Sequence, residues 1–260
     1  MEYKIAQGNS AELLEYLSDN SIDMTITSPP YDSLRNYNNN ELSWCFNIFQ
    51  KIANELYRVT KQGGVVIWVV ADKTDNGSET GTSFRQALYF KELGFNIHDT
   101  MIYRKENYVP LTHNRYEQEW EYMFCFSKGK PKTFNPIRIP CKYAGQEHWG
   151  NSSYYKTDND ELTSVGNKKV HDDKIKGNIF SYRVGSTTES KKYKHPAMFP
   201  LDLVKDQIIS WSNEGDWILD TFMGSGTTGV ACIELNRNFI GIENEQKYFE
   251  MAKQRIEEHK

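Results

Sequence analysis

The sequence has few cysteines and no long apolar run. Its four cysteines, Cys45, Cys125, Cys141 and Cys232, are scattered over 260 residues without a CxxC pair, which argues against a zinc cluster or a disulfide framework. No stretch approaches the roughly 20 apolar residues of a membrane-spanning helix, and residues 1–10 lack the basic and apolar segments of a secretory signal. We therefore expect a cytoplasmic protein without a metal site, and its length is ample for one well-packed domain.

Positive charge is in the minority over the whole chain, but not in one part of it. The formal net charge is -4, from 31 Lys and Arg against 35 Asp and Glu, which on its own argues against a basic nucleic-acid-binding surface. Residues 128–194, however, carry 14 Lys and Arg and 7 Asp and Glu, so this segment has a net charge of +7 and the rest of the chain -11. The segment is either a solvated irregular region or a surface for nucleic-acid phosphates.

Short apolar runs alternate with helical patterns along the rest of the chain. The candidate strands are residues 22–27, 64–70, 95–103, 121–126, 217–222 and 238–243. The candidate helices are residues 11–17 (with Ser10 as N-cap), 42–59, 83–93, 201–211 and 245–257. This alternation predicts an α/β fold with a doubly wound, mostly parallel sheet and helices on both faces. Ligands bind at the carboxyl ends of the strands in such sheets, so the residues after each strand are the candidate site.

A glycine-rich turn follows the predicted strand at 217–222. Residues 224–229 read GSGTTG and match G-x-G-x-x-G, in which glycines let the backbone approach a ligand closely. The next strand ends at Glu243, whose carboxylate can accept hydrogen bonds from two ribose hydroxyls, and Asp220 lies just before the turn. No Lys follows the last Gly, so the turn is not a P-loop. The pattern indicates a nucleoside-containing cofactor, and its simplest alternative is a plain glycine turn.

A proline motif follows the predicted strand at 22–27. Residues 27–31 read TSPPY, and the two prolines fix the backbone and supply no N–H. The Ser28 hydroxyl and nearby carbonyls are left as acceptors beside the ring of Tyr31. Rigid acceptors next to an aromatic face suit a planar ligand that carries an amino group. The simplest alternative is a proline turn with Tyr31 in the core.

Together the two motifs resemble those of the DNA amino-methyltransferases, S-adenosylmethionine-dependent enzymes that methylate the N4 amine of cytosine or the N6 amine of adenine. The motif order, proline motif first and glycine motif last, is similar to the permuted beta group of that family. Residues 121–128 (EYMFCFSK) and 195–200 (HPAMFP) are similar to the family's late-strand motif and cofactor-enclosing segment. The stretch 129–194 corresponds to the family's variable target-recognition region, which leaves 1–128 and 195–260 as the catalytic methyltransferase domain.

The resemblance implies a role for each group of residues. The cofactor S-adenosylmethionine would contact Thr27, His195, Pro196, Ala197, Phe199, Asp220, Phe222, Gly224, Ser225, Gly226, Thr227 and Glu243. The catalytic residues would be Ser28, Pro29, Pro30 and Tyr31, with acceptors at the first two holding the amine and the tyrosine stacking on a base flipped out of the duplex. DNA would be contacted by Arg35, Tyr37, Arg138, Lys168, Lys169, Lys174, Lys176, Arg183, Lys191 and Lys192. This chemistry needs no covalent nucleophile, so the resemblance makes Cys45 and Cys125 packing residues.

Three positions depart from the usual family pattern. Thr221 stands where proline is common, Asn9 where an acid is common, and Ser28 where adenine enzymes more often carry Asp. The serine favours N4-cytosine over N6-adenine as the target amine. The expected partner is double-stranded DNA, with or without a cognate restriction endonuclease, and the resemblance permits a monomer or a homodimer.

Two other classes of protein explain part of the sequence. An NAD-dependent oxidoreductase accounts for the glycine motif and Glu243, but not for the proline motif or the basic segment. A non-enzymatic nucleic-acid-binding module accounts for the basic segment, but leaves two ligand loops at strand ends without a purpose. An RNA or protein methyl acceptor is a further alternative, because the same acceptor motif serves any planar amine.

Overall fold

The structure is a computed structural model that describes most of the chain. The described residues are 1–30, 44–108, 110, 114–146, 154–156, 162–164, 169–185, 192–193 and 197–259. The chain folds into two compact units, a larger one with Met1–Asn135 and Asn178–Lys260 and a smaller one with Pro136–Gly177. Among the described residues, no helix is long and apolar enough to cross a membrane.

The larger unit is built on an eight-stranded sheet. The strands of both units, numbered along the chain, are β1 (Tyr3–Gln7), β2 (Ile22–Thr27), β3 (Thr60–Val70), β4 (Thr74–Asp75), β5 (Ser78–Glu79), β6 (Asn96–Lys105), β7 (Trp120–Ser127), β8 (Arg138–Pro140), β9 (Tyr154–Lys156), β10 (Leu162–Ser164), β11 (Asp173–Ile175), β12 (Ile179–Tyr182), β13 (Trp217–Asp220) and β14 (Asn238–Glu243). The order across the sheet is β1-β14-β13-β2-β3-β7-β6-β12. Of these eight strands only β7 runs antiparallel to its neighbours, so the sheet is mostly parallel, as predicted.

Helices cover both faces of this sheet. They are α1 (Ser10–Leu13), which continues into a 3-10 turn at Leu14–Tyr16, α2 (Phe46–Val59), α3 (Thr82–Glu92), α4 (Leu201–Trp211), α5 (Thr227–Glu234) and α6 (Gln246–Glu258). On β3, Val66, Trp68 and Val70 belong to a core shared with α1, α2 and α3. The alternating residues Val65 and Ile67 point to the other face and are also fully buried. Burial on both faces is the doubly wound arrangement that the alternation of strands and helices predicts.

The chain changes direction across the sheet between β2 and β13, which are neighbours. After β13 it passes through α5 to β14 on one side, and after β2 it passes through α2 to β3 on the other side. The connections therefore diverge at the carboxyl ends of these two strands and leave a crevice between them. Ligands bind at such a switch point in open α/β sheets.

Two local features differ from the sequence-based expectations. The edge strand β1 (Tyr3–Gln7) has no apolar run, because only alternate residues face the protein, and it was not predicted. The N-cap of α1 is Asn9 rather than Ser10, since the Asn9 side chain accepts a hydrogen bond of 3.0 Å from the Ala11 amide. The Ser10 hydroxyl is buried and donates to the Thr221 carbonyl instead, at 2.5 Å.

The smaller unit is shorter than the insert expected at 129–194. It contains two antiparallel strand pairs, β8 with β11 and β9 with β10. The segment before it stays in the larger unit, where the Gly63 amide donates to the Lys128 carbonyl at 2.7 Å. The segment after it forms β12, which pairs in parallel with β6. Sequence composition could not locate these boundaries, because the basic charge extends past the compact unit on both sides.

Candidate active site

Three neighbouring strands bring the two sequence motifs to one edge of the sheet. β2 ends at Thr27, β13 at Asp220 and β14 at Glu243, and the three strands are adjacent and parallel. The Thr27 hydroxyl donates to Oδ1 of Asp220 at 2.8 Å, across 193 positions of sequence. The proline motif and the glycine motif are therefore in direct contact at the switch point.

Both carboxylate oxygens of Asp220 are hydrogen-bonded. Oδ1 accepts from Thr27 and also from the Phe222 amide at 3.1 Å, and Oδ2 accepts from the Thr228 hydroxyl at 2.5 Å. The residue is only 2 % exposed. Burial raises the pKa of Asp220 to about 6, although these hydrogen bonds lower it in part. The sequence predicts a cofactor contact at Asp220, and the structure places its side chain as a buried link between the strand end, the glycine turn and the first turn of α5.

Glu243 holds the glycine turn from the neighbouring strand. Its Oε2 accepts from the Gly224 amide at 2.8 Å and its Oε1 from the Glu245 amide at 2.9 Å. Burial raises the pKa of this carboxyl, and the two amides oppose the shift. Each oxygen of an ionised carboxylate has a further lone pair, and the half-exposed side chain is fixed in direction by the amides. The residue fits the expected role of acceptor for two ribose hydroxyls.

The glycine turn has a backbone shape that other residues adopt poorly. Gly224 and Gly226 have φ values of +51° and +77°, in the left-handed region that favours glycine. A Cβ on Gly226 would also lie 3.0 Å from the Cβ of Ala252 in α6. The turn thus packs directly against α6, which fixes its position next to Glu243.

The hydroxyl residues of the turn face away from solvent. Ser225 and Thr227 are 2 % and 3 % exposed. Nη1 of Arg255, on α6, donates to the Thr227 hydroxyl at 2.8 Å and lies 3.3 Å from the Ser225 carbonyl. The two side chains, both expected to bind a cofactor, therefore contact α6 in this structure.

The proline motif continues from β2 into the crevice. Pro29 is buried, whereas Ser28 and Pro30 are partly exposed, and the motif begins at Thr27, which contacts Asp220. Phe222 packs edge-on against Trp44 and Trp68, with ring centroids 5.4 Å and 6.5 Å apart. Phe222, two positions after Asp220, thus belongs to an aromatic cluster near the end of β13.

The remaining expected contacts fall into two groups. Ala197, which is exposed, and Phe199, which is half-buried, lie just before α4. Those that lie outside the described residues are Tyr31, Arg35, Tyr37, Lys168, Lys191, His195 and Pro196.

Most of the expected DNA contacts that the structure describes are exposed, and Arg138 and Lys192 are among those that form ion pairs. Arg138 forms a bidentate ion pair with Asp173, in which Nε donates to Oδ2 at 2.9 Å and Nη2 donates to Oδ1 at 2.7 Å. Lys192 contacts Glu258 at 2.5 Å. Pairs this exposed contribute little to stability, so both basic groups can exchange their partner for a phosphate. Lys169, Lys174 and Arg183 are also exposed, and Lys176 is partly exposed.

Sequence reasoning missed several residues that organise the site. Thr228 was inside the glycine motif but carried no role, and its hydroxyl completes the shell of Asp220. Arg255 is 1 % exposed, and the helical spacing of Ala252 and Ile256 places it on the buried face of α6. The burial of Arg255 could therefore have been predicted from the helical spacing. Cys45 was expected to pack in the core and is exposed, because it precedes α2 rather than lying inside a helix.

The family comparison decides between the possible uses of this crevice. Residues 22–254 match the model of a family described as DNA methylase, of the N6 and N4 type. The match covers most of the chain and contains both motifs. This chain belongs to the DNA methylase family. The resemblance to the amino-methyltransferases is therefore confirmed, and the oxidoreductase and the non-enzymatic binding module are set aside.

Individual relatives agree with the family match. This DNA methylase is 49 % identical over 250 residues to the orphan methyltransferase M.BamHII of Bacillus amyloliquefaciens, with 94 % of this chain and 92 % of the relative covered. It is 27 % identical over 259 residues to the type II methyltransferase M.BglII of Bacillus subtilis, with 96 % of this chain and 68 % of the relative covered.

Solved structures share the fold. The crystal structure of an M1.HpyAVI–SAM complex superimposes with a TM-score of 0.64 at 26 % identity and covers 98 % of each chain. The cytosine-N4-specific PvuII DNA methyltransferase superimposes with a TM-score of 0.69 over 100 % of this chain and 91 % of the other. At 17 % identity the second comparison speaks for the fold alone. The predicted doubly wound methyltransferase fold is confirmed.

Proposed function

We propose that this DNA methylase transfers a methyl group from S-adenosylmethionine to the exocyclic N4 amine of a cytosine flipped out of duplex DNA. The observation that carries the proposal is the contact between Thr27 and Asp220. It supports the proposal because Ser28 is the next residue after Thr27 and the glycine turn begins four positions after Asp220. An amine held at Ser28 and a methyl donor held at the glycine turn would meet in one crevice.

The residues at the strand ends suit S-adenosylmethionine. When bound, this cofactor supplies a methyl group activated by a sulfonium sulfur. Glu243 would accept hydrogen bonds from the ribose hydroxyls, since two backbone amides already fix its carboxylate. The backbone at Gly224 and Gly226 would approach the methionine part, and Phe222 would contribute an aromatic face. Asp220 would hold the turn rather than contact the cofactor, because it is buried.

The proline motif would activate the target amine. The lone pair of this nitrogen is delocalised into the base and is a poor nucleophile. Hydrogen bonds from its N–H groups to the Ser28 hydroxyl and the Pro29 carbonyl would orient the lone pair and stabilise the positive charge that develops on nitrogen. The nitrogen forms a bond to the methyl carbon while the carbon–sulfur bond breaks toward sulfur, and one amine proton leaves to solvent.

The cysteines have no part in this chemistry. Burial raises the pKa of the Cys125 and Cys232 thiols well above their usual range, so neither provides a thiolate near neutral pH. Cys45 is exposed, one residue before α2. A direct transfer to the amine, without a covalent intermediate, agrees with this arrangement.

The choice of base rests on the chemistry at residue 28. A serine hydroxyl and a carbonyl provide two neutral acceptors, and the Ser-Pro-Pro-Tyr form resembles N4-cytosine enzymes. The alternative is N6-adenine, whose exocyclic amine presents the same two N–H groups. A flipped base is required in either case, because the amine is inaccessible inside the duplex.

DNA would be read by the segment at 129–194, with the compact unit Pro136–Gly177 as its core. Its exposed basic residues would neutralise phosphates, and sequence would be read by base-edge contacts. Bacterial DNA lies in the cytoplasm, which is where we propose the protein acts. It would act as a monomer or homodimer, alone or beside a restriction endonuclease; one relative is named an orphan methyltransferase and others are named type II methyltransferases.

The proposal is tested by expressing the chain in a bacterial host that lacks DNA methylation and sequencing the genome for modified bases. N4-methylcytosine at one short sequence motif is the expected result, and its loss in Ser28→Ala ties the modification to this site. N6-methyladenine at one motif would replace the cytosine assignment by the adenine alternative. An unmodified genome, from a host that contains the folded protein, would contradict the proposal.

The class of cofactor has its own test in the thermal unfolding of the purified protein. A ligand that binds only the folded state raises the melting temperature. We expect S-adenosylmethionine to raise it and NAD to leave it unchanged. A shift with NAD alone would contradict the assignment of the glycine turn.

A further inference from the structure

The buried arginine of the C-terminal helix has no role in the chemistry proposed above. Arg255 lies in α6 with 1 % of its surface exposed, and an arginine keeps its charge at any pH the protein experiences. Its Nη1 donates to the Thr227 hydroxyl at 2.8 Å and lies within 3.4 Å of both oxygens of Ser225. A buried charge is expensive unless hydrogen bonds compensate it. The glycine turn supplies much of that compensation.

The other side of Arg255 contacts Tyr193, which lies close in sequence to the segment expected to enclose the cofactor. The guanidinium carbon lies 5.5 Å from the centroid of the Tyr193 ring, within the range of a cation–π contact. Tyr193 is 5 % exposed, and its hydroxyl donates to Glu258, one helical turn after Arg255. Lys192 contacts the same carboxylate at 2.5 Å. Tyr193 lies two positions before the segment 195–200, which is expected to enclose the cofactor.

We propose that Arg255 is a positioning residue for S-adenosylmethionine, which holds the turn at Ser225 and Thr227 and the chain at Tyr193 in fixed relation through α6. The inference rests on the proposed function, because it concerns the same cofactor site. The two contacts arise from one rigid, planar group, so the turn and the 192–193 segment cannot shift independently. The adjoining backbone at Gly224 and Gly226 is thereby held in place before the cofactor arrives.

A role in folding alone would make a different prediction. A buried arginine can simply fill space and satisfy backbone carbonyls, and the chain offers a matched example. Arg237 is 8 % exposed and donates to the Ser212 carbonyl at 2.9 Å and the Leu235 carbonyl at 2.5 Å. It lies just before β14, at the end of that strand opposite Glu243. Loss of Arg237 should weaken the fold without affecting the cofactor specifically.

The test compares Arg255→Met, Arg255→Lys and Arg237→Met at a temperature where circular dichroism shows all of them folded. The measurements are the Kd for S-adenosylmethionine by calorimetry, and the KM for cofactor and for unmethylated genomic DNA with a labelled methyl group. We expect Arg255→Met to raise the Kd and the cofactor KM about tenfold, which is 1.4 kcal/mol, with the DNA KM unchanged. Arg255→Lys retains the charge and one donor, so it should recover part of the affinity. Arg237→Met should lower the melting temperature and leave the Kd unchanged.

A cofactor Kd that is equally raised by Arg255→Met and Arg237→Met would overturn the inference, as would a Kd unchanged by Arg255→Met. If Arg255→Met does not fold, Thr227→Val removes the 2.8 Å contact from the side of the turn and keeps the arginine. It should raise the cofactor Kd about threefold, or roughly 0.7 kcal/mol, and an unchanged Kd would again overturn the inference. Failure of the proposed function is seen separately, as a wild-type protein that does not bind S-adenosylmethionine.

Discussion

The Thr27 hydroxyl and the Asp220 carboxylate are joined by a hydrogen bond of 2.8 Å at the ends of two adjacent parallel strands. Ser28 and its prolines follow Thr27 directly, and the glycine turn begins at Gly224, four positions after Asp220. The separation between the proposed acceptor site and the proposed cofactor turn is therefore set by the pairing of β2 with β13. Ser28 and the glycine turn lie on loops, and the pairing of the strands determines the distance between those loops.

Removal of the Asp220 carboxylate should weaken both the fold and the activity. In Asp220→Ala the Phe222 amide and the Thr228 hydroxyl lose their acceptor inside the protein, whereas the Thr27 hydroxyl keeps the Thr221 hydroxyl as a partner at 3.2 Å. A buried unsatisfied group costs about 1–3 kcal/mol. We expect the free energy of unfolding to fall by about 2–4 kcal/mol in urea denaturation. Asp220→Asn keeps one oxygen for the Phe222 amide, so it should lose less than Asp220→Ala when both are compared with wild type at about pH 4, where ionisation of Asp220 does not yet oppose folding. Equal stability of Asp220→Ala and wild type would contradict the assigned role.

The free energy of unfolding should vary with pH because the pKa of Asp220 is raised. Burial raises its pKa to about 6, from 3.8, so ionisation opposes folding. The destabilisation is absent below pH 3.8, grows as the pH rises, and is complete above about 6. We expect wild type to lose stability relative to Asp220→Asn between these values, by about 3 kcal/mol at most, and the difference to be constant above them. A difference that does not vary with pH would show that the carboxyl is ionised throughout.

Asp23, at the amino end of β2, should make the stability of the protein depend on pH in the opposite direction. It is 2 % exposed and accepts hydrogen bonds from Lys132, from Lys61 at 2.7 Å and from the Trp217 amide at 3.0 Å. Burial raises its pKa, but these contacts outweigh it and hold the pKa of Asp23 below its usual 3.8. The stabilisation is therefore present above the unfolded-state pKa and is lost as the pH falls through the lower folded-state value.

Asp23→Ala should accordingly destabilise at neutral pH and matter little in acid. Both lysines are partly exposed and can return to water, so we expect a loss of about 2–3 kcal/mol, below the range for a fully buried pair. Melting curves at pH 7 and in strong acid measure the difference. Activity at a temperature where the variant is folded should be unchanged, because Asp23 lies at the end of β2 far from Ser28. A loss of activity in a folded Asp23→Ala variant would show that Asp23 affects the site at the opposite end of β2.

Ser28→Ala should abolish most of the methyl transfer without weakening DNA binding. The variant removes one of the two acceptors for the amine, and such preorganised contacts contribute about 10²- to 10³-fold to kcat. The matched control is Ser21→Ala at the opposite end of β2, where the hydroxyl donates to the Ser18 carbonyl at 2.7 Å. We expect kcat to fall only in Ser28→Ala, with the Kd for DNA equal in both. Full activity of Ser28→Ala would remove the serine from the catalytic assignment.

Gly226→Ala should damage the cofactor turn more than a comparable change elsewhere. Gly226 and Gly215 have similar φ values, +77° and +80°, so alanine strains the backbone at both by roughly 1 kcal/mol. Only at Gly226 would the new Cβ meet another residue, since nothing lies within 4 Å at Gly215. We expect Gly226→Ala to lose more stability than Gly215→Ala and, unlike it, to bind S-adenosylmethionine less tightly. Equal cofactor affinity of the two variants would contradict the placement of the turn.

Much of the site could be predicted because its parts are local in sequence. The strands at 22–27 and 238–243 have the predicted bounds, since both are apolar runs followed by turn residues. Strand ends then located both motifs without any tertiary information. The carboxyl ends of parallel strands share one edge, so both motifs were expected at that edge. Their mutual contact depends on the pairing of β2 with β13, which only the structure shows.

The features of the site and fold that were not predicted depend on tertiary contacts. Asp220 was expected to face a ligand, and its burial becomes visible only once β2 and α5 enclose it. The burial of Arg255 could be predicted from the helical spacing, but its contact with Thr227 is visible only once the glycine turn is packed against α6. The edge strand β1 was missed because its half-exposed residues form no apolar run. Composition likewise found the basic segment, but not the bounds of the compact unit Pro136–Gly177.

The most direct test of the account follows the methyl group itself. The purified protein is incubated with S-adenosylmethionine that carries a deuterated methyl group and with DNA from a host without methylation, and the DNA is digested to nucleosides for mass spectrometry. We expect the deuterated methyl group on the N4 amine of deoxycytidine with the wild-type protein, and only traces of it with Ser28→Ala. A label on the carbon-5 position of cytosine, or no label from a protein that binds both cofactor and DNA, would contradict the transfer to an exocyclic amine.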